Sequence, residues 1–308
     1  MVIKLDLNFL NGIYYVKTKD LLTEDDFNAL RRLDSNLFLR YLKTKSYGFS
    51  SDYKTIENVI SKEMVNTKDE LNKTSDDNLL SDIFYMDHDI TNIKIVFKEV
   101  YYNIEATYFD NLGRFSKQAL EQLFKYGNMK LLPKEYNEMY EKLLSVNTLD
   151  LKEALQLIEK IVYDFYTKLA KNHKSYRVLH KYLEYKKVIT NLKTFLKFKY
   201  HKEDILKLKK ALLNEEIIGE AEWIDLYNKF DNEIINKLYL YFNSDIVLAS
   251  AEFLSTGNIT DLRKETRNYL DDTLRQASFE AETIAPVLYY LHLKEKEAYK
   301  VRELYYGK

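Results

Sequence analysis

Apolar residues recur at three- and four-residue intervals through much of the chain, the spacing that lines one face of an α-helix. The clearest run is Leu151 to Ala170, where Leu151, Ala154, Leu155, Ile158, Ile161, Val162, Phe165 and Leu169 form one stripe. Similar stripes occupy Glu24–Lys43, Leu79–Tyr101, Pro133–Leu144, Tyr176–Tyr200, Asp204–Leu213, Ala221–Phe242 and Thr283–Tyr306. Pro133 stands where a first helical turn tolerates proline. Asp20, Thr23 and Asn214 stand where short polar side chains cap helix starts, and Gly307 follows the last stripe as a helix stop would.

The pattern also repeats on a larger scale. Three segments share one local order of residues, centred on Asn92-Ile93-Lys94, Asn191-Leu192-Lys193 and Lys300-Val301-Arg302, with spacings of 99 and 109 residues. A second, weaker series precedes each in the same order: Leu21-Leu22, Leu131-Leu132 and Leu212-Leu213, each just before a polar, acidic stretch. Two ordered series predict three diverged helical units, approximately residues 1–103, 104–202 and 203–308, each of ordinary domain size.

Within each unit the basic residue of the triplet flanks the apolar stripe. Lys94, Lys193 and Arg302 therefore sit at the margin of a core-facing helix, where a cation's stem covers core carbons while its head reaches water or a partner. Lys94/Lys98 and Lys193/Lys197 are like-charge pairs at i,i+4, which cost an isolated helix a few tenths of a kcal/mol. Acidic groups from a neighbouring helix or from another subunit would relieve them. In the third unit the pair becomes Arg302/Tyr306. These three positions are read as structural supports first and partner contacts second.

Composition narrows the fold class. The 308 residues include two prolines and seven glycines, against roughly 15 and 22 for average usage. A turn-rich β protein needs those residues and long helices do not, so the chain is expected to be all-α. At 46% hydrophobic and 31% charged it should fold. Cysteine is absent, which removes disulfides and thiolate chemistry. A net charge of −1 provides no general attraction for nucleic acid, and the 27 tyrosines stand among Leu and Ile at helical spacing, where they pack. No run of 18 apolar residues spans a bilayer, and charges come too early for a signal peptide. The chain is expected to be soluble, yet able to sit on a membrane protein.

Candidate chemistry adds little. The glycines at 12, 48, 113, 127, 219, 257 and 307 are solitary, so no phosphate-binding loop exists and no direct nucleotide contact is expected. On a helix, Asp87, His88 and Asp89 point about 100° apart and cannot converge on one ion; solvated surface is expected there. His173 and His180 could share a face but lack a third ligand. Asp25-Asp26 and Glu215-Glu216 suit helix starts. No catalytic, cofactor-binding or metal-binding residue is assigned.

The C-terminal run Tyr290-Leu291, Lys294-Glu295, Glu297, Val301-Arg302, Leu304-Tyr305 and Gly307-Lys308 resembles the end of the V/A-type ATPase subunit called C in bacteria and archaea and d in eukaryotes. That family closes with a Lys-Glu-x-Glu run, an Asn-Leu-Arg-like triplet and Gly-Lys; this chain departs at Lys300. The stretches Tyr15-Val16-Lys17, Leu21-Leu22 and Thr44-Lys45-Ser46-Tyr47-Gly48 are similar to the family as well. The resemblance implies a funnel of three helical bundles around a pseudo-threefold axis, without an active site or cofactor. Its partners would be the central-shaft subunits D and F and the proteolipid c/K ring, on the cytoplasmic face of the membrane. The subunit would rotate with the ring and couple ATP hydrolysis or synthesis to ion transport. The competing expectations are a free-standing helical-repeat scaffold and an all-α enzyme, which would need a pocket with convergent titratable groups.

Overall fold

Periodic stripes become helices, and a stripe that contains a capping side chain becomes two. The computed structural model describes residues 7–75, 78–106, 108–148, 150–172, 177–280 and 283–307. The described residues form sixteen α-helices, two short 3-10 turns and no strand. After α1 (Leu7–Thr18), the stripe at Glu24–Lys43 divides into α2 (Glu24–Arg31) and α3 (Ser35–Thr44). The break is Asp34, whose carboxylate accepts the Asn36 and Leu37 N–H groups, both at 2.9 Å. Thr23 caps α2 in a reciprocal capping box with Asp26. Then come α4 (Ile56–Ser75), α5 (Leu79–Phe84) and α6 (Met86–Tyr102).

The middle of the chain forms α7 (Lys117–Tyr126), α8 (Asn137–Leu144), α9 (Leu151–Asn172), α10 (Arg177–His201) and α11 (Ile205–Ala211). Gly127 closes α7 at φ +62, in the left-handed region where a side chain would be strained. Pro133 sits immediately ahead of the 3-10 turn that leads into α8. The chain ends with α12 (Glu220–Tyr227), α13 (Asp231–Leu238), α14 (Ser244–Thr256), α15 (Thr260–Ala277) and α16 (Ala285–Tyr306). Asn214 caps no helix: the next one begins at Glu220, and the Asn214 amide donates instead to Asp164 at 3.0 Å.

Two compact units divide the chain. The first contains the N-terminal part through Asp89, then Asp110–Arg114, then Leu274 onward. In it α16 packs against α1, α2 and α4, so the last helix of the chain shares a core with the first. Leu10, Leu30, Val59, Leu288, Leu291 and Val301 are at most 1% exposed. The second unit holds Ile90–Phe109 and Phe115–Thr273 and is built on α10, which packs against α9, α11, α12 and α14. Leu192, Phe195 and Leu196 of α10 are fully buried, each worth about 1.5–3 kcal/mol of apolar transfer. Phe195 meets the indole of Trp223 with ring centroids 5.1 Å apart.

Candidate functional site

The triplet cations occupy comparable places on long helices and differ in what faces them. Lys94 of α6 forms an ion pair with Glu159 of α9. Arg302 of α16 grips Glu57 of α4 through two parallel bonds, Nε to Oε1 at 2.9 Å and Nη2 to Oε2 at 2.8 Å. This pair is about half exposed, so its contribution to stability lies in the ~0–1 kcal/mol range of surface pairs. Lys193 of α10 has no carboxylate partner among the described residues. Burial, followed by the charges of Arg263, Arg267 and Lys197, pushes its ammonium pKa down to about 8.

The first residue of the triplet is a brace. Asn191, 1% exposed, donates to the Leu213 carbonyl at 2.9 Å and accepts the Leu213 N–H at 2.8 Å. It thereby fixes the Leu212-Leu213 segment against α10. Asn92 is likewise fully buried. The third triplet carries Lys300 instead, which pairs with Glu24 at 2.6 Å, and the bracing role passes to Glu297, one turn earlier. Its Oε1 accepts the Leu22 N–H at 2.6 Å. So the Leu21-Leu22 and Leu212-Leu213 segments are each held by a buried polar side chain from a long helix.

The short stretches that looked alike to a known family in the sequence converge on one buried cluster in the first unit. Lys294, 7% exposed, and Glu297, 5% exposed, pair through Nζ and Oε2 at 2.8 Å. Lys294 also pairs with Glu63 of α4, and its ammonium lies 5.3 Å from the ring centre of Tyr47. The other Glu63 oxygen accepts the Gly48 N–H at 2.7 Å. Gly48 has φ +68, and a Cβ there would come within 2.6 Å of the Val59 carbonyl oxygen. Only glycine satisfies both constraints.

The charges in this cluster balance through backbone donors. Two carboxylates face one ammonium, and the N–H groups of Leu22 and Gly48 supply the remaining positive poles. Burial opposes charge on Lys294, but the Glu297 and Glu63 carboxylates outweigh it and hold the ammonium pKa well above the lysine range. Burial pushes the Glu297 carboxyl up, with Lys294 and the Leu22 N–H acting against it. Nothing in the geometry offers a reacting atom; the arrangement ties α16, α4, the Tyr47-Gly48 turn and the Leu22 segment together.

Other polar groups also serve the fold. Asp89 is 1% exposed and accepts the Arg114 N–H at 2.6 Å, while His88 Nδ1 lies 2.6 Å from Asp110. The surface expected at Asp87-His88-Asp89 is therefore confined to Asp87, because the loop through Asp110–Arg114 covers the other two. Glu215 starts no helix; its carboxylate gathers the N–H groups of Ile217, Ile218 and Gly219 and the Trp223 indole at 2.6–3.0 Å. His173 lies outside the described residues. His180 stands 3.8 Å from Glu184.

Among the described residues the regular structure is all helical, and in the first unit α16 is tied to the Leu22 segment by a buried carboxylate. The chain belongs to the ATP synthase (C/AC39) subunit family, whose model matches residues 10–308. It is thus a subunit of a V/A-type ATPase. A comparison with curated proteins gives no match. Among the described residues no helix is long and apolar enough to cross a membrane.

Proposed function

We propose that this chain is the rotor subunit that joins the central shaft, subunits D and F, to the proteolipid c/K ring, and that it transmits torque without chemistry of its own. In this reading it rests on the cytoplasmic end of the ring and reaches the membrane only through it. Three helical copies about a pseudo-threefold axis form a funnel whose wide end receives the shaft. Family membership over residues 10–308 carries the assignment to the complex. The coupling role is supported by the build of the helices. Helices α9, α10 and α16 run 22, 25 and 22 residues, and side chains bind them to chain segments far away in sequence.

The threefold reading is supported by a regularity in those contacts. Arg302 pairs with Glu57 and Lys94 with Glu159, and the charge acting most strongly on Lys193 is that of Arg263. Positions 57, 159 and 263 are spaced by 102 and 104 residues, close to the 99 and 109 residues that separate the triplet cations. In this reading each copy's triplet helix faces a helix of the following copy, with the last copy returning to the first.

The test is a binding experiment with purified components. The full chain should form a complex with the D–F shaft, with the detergent-solubilised ring, and with both together. Binding to only one of them, or mutual exclusion of the two, overturns the adaptor role. No nucleotide should bind the isolated chain at millimolar concentration.

A further inference from the structure

Helices α13 and α14 each bury one face and keep a second apolar strip outside. Ile234 and Leu238 of α13 and Ile246, Val247 and Phe253 of α14 belong to the core of the second unit. The short connection 239–243 joins the two helices as packed antiparallel neighbours. Between their outer sides runs a groove of about 310 Å³, floored by the half-buried Ile235, Ala251 and Leu254. The strip continues past the groove at helical spacing, to Tyr239 one turn after Ile235 and to Leu248 one turn before Ala251. Tyr239 is 49% exposed and Leu248 61% exposed. A contiguous apolar strip along two adjacent helices marks a surface that another protein covers, which a single exposed leucine would not. Its rim is acidic. Asp231 lines the groove, and Asp245 and Glu252 flank Leu248 on α14 at i−3 and i+4. All three are exposed, and none forms an ion pair among the described residues. Lys237, the cation of α13, is taken up by Glu222 of α12 at 3.5 Å, and α14 carries no cation.

We infer that the α13–α14 groove is a docking site for an amphipathic helix of another subunit of the complex, whose apolar stripe fills the groove and whose flanking Lys or Arg residues meet Asp231, Asp245 and Glu252. Shape and charge select this partner. From Asp231 to Tyr239 the wall of the groove rises about 12 Å along α13, which accommodates two turns of a partner helix with apolar anchors at i, i+3 or i+4, and i+7. Unneutralised carboxylates beside an apolar strip favour a basic rim on the partner and steer its approach. The same carboxylates repel the anionic headgroups of a membrane surface. A second copy of this chain seated groove to groove would set two acidic rims against each other. The inference rests on membership of the ATPase complex and goes beyond the adaptor role by naming the surface and the chemistry of its partner.

Leu248 is the position to change, because its side chain lies outside the core. Leu248→Glu should melt as wild type does, while its retention in the complex, immobilised through another subunit, falls at least ~10-fold. Asp245→Lys combined with Glu252→Lys should fold normally too. Wild-type retention should weaken as salt rises, whereas the double variant should be held least at low salt and recover as salt is added. Retention of either variant equal to wild type overturns the inference. A photo-crosslinker, p-benzoylphenylalanine, placed at Leu248 in the assembled complex should attach to a helix of another subunit. Mass spectrometry should identify that helix as apolar on one face with Lys or Arg beside it. Attachment to lipid, to a second copy of this chain or to an acidic segment overturns the inference, as does assembly without attachment. If Leu248→Glu destabilises the fold, the double variant and the crosslink decide the matter. The crosslink is read in the intact complex whichever subunit lies opposite, so a chain that binds neither shaft nor ring defeats the adaptor reading separately.

Discussion

Replacing Lys294 with methionine tests what the family-like stretches of sequence accomplish. Methionine has a similar volume and keeps the apolar stem in place, but it leaves Glu63 and Glu297 facing each other without the ammonium that both contact. Removing one partner of a buried ion cluster costs about 3–5 kcal/mol, because the surviving charges stay buried and uncompensated. With a urea m-value of about 3 kcal/mol/M, the unfolding midpoint should fall by roughly 1–1.7 M, followed by far-UV circular dichroism. The loss should also depend on pH with a definite sign. Burial raises the Glu297 carboxyl above its unfolded value, and losing Lys294 raises it further. A carboxyl with a raised folded pKa favours the folded state more as pH falls toward its unfolded value. The deficit of Lys294→Met relative to wild type should therefore shrink between pH 7.5 and pH 5. Adding Glu63→Leu and Glu297→Leu should recover part of it. A deficit under about 1 kcal/mol at pH 7.5, or one that does not change with pH, would refute the cluster as the tie between the chain's two ends.

Three further outcomes follow from the same contacts. Gly48→Ala places a Cβ 2.6 Å from the Val59 carbonyl at a positive φ, which should cost about 2–3 kcal/mol and lower Tm by roughly 5–10 °C. Asn191→Ala leaves both the Leu213 N–H and carbonyl unpaired in a buried setting and should cost about 2–4 kcal/mol by denaturant titration. Burial tends to raise the Asp26 carboxyl, but bonds from Lys45, Thr23 and Tyr41 outweigh it and hold the group well below the usual carboxylate range. Its stabilisation is complete above the unfolded value near 3.8 and is lost as pH falls below that. Asp26→Asn should therefore flatten the acid limb of the stability profile.

Much of the helical body was legible in the pattern of apolar residues. Leu151 to Ala170 became α9 with Ala154, Ile158, Ile161, Val162 and Phe165 buried as expected. Helix breaks inside a stripe were harder to see, because Asp34 acts through local hydrogen bonds that leave the apolar period intact. Helix α15 was missed for a different reason. It is strongly charged and buries chiefly Leu262, Thr266 and Leu274, too few points to mark a stripe. The conjunction at Lys294 lay beyond local reading, since Glu63 is 231 residues away. What the sequence does show is that Tyr47-Gly48, Leu22 and Lys294 to Glu297 lie in stretches that resemble one family. Their common cause is a single buried charge cluster that only the folded chain assembles. The same is true of the triplets: order and spacing were visible, but not that Lys94 and Arg302 have carboxylates opposite them while Lys193 has arginines.

The central claim is mechanical coupling, and reconstitution tests it most directly. ATP hydrolysis and ATP-driven ion transport would be measured in vesicles bearing the complex assembled with and without this chain. The account predicts that omission abolishes ion transport while the soluble part continues to hydrolyse ATP, and that adding the purified chain restores transport. Transport that persists without the chain, or hydrolysis that disappears along with it, would contradict the account.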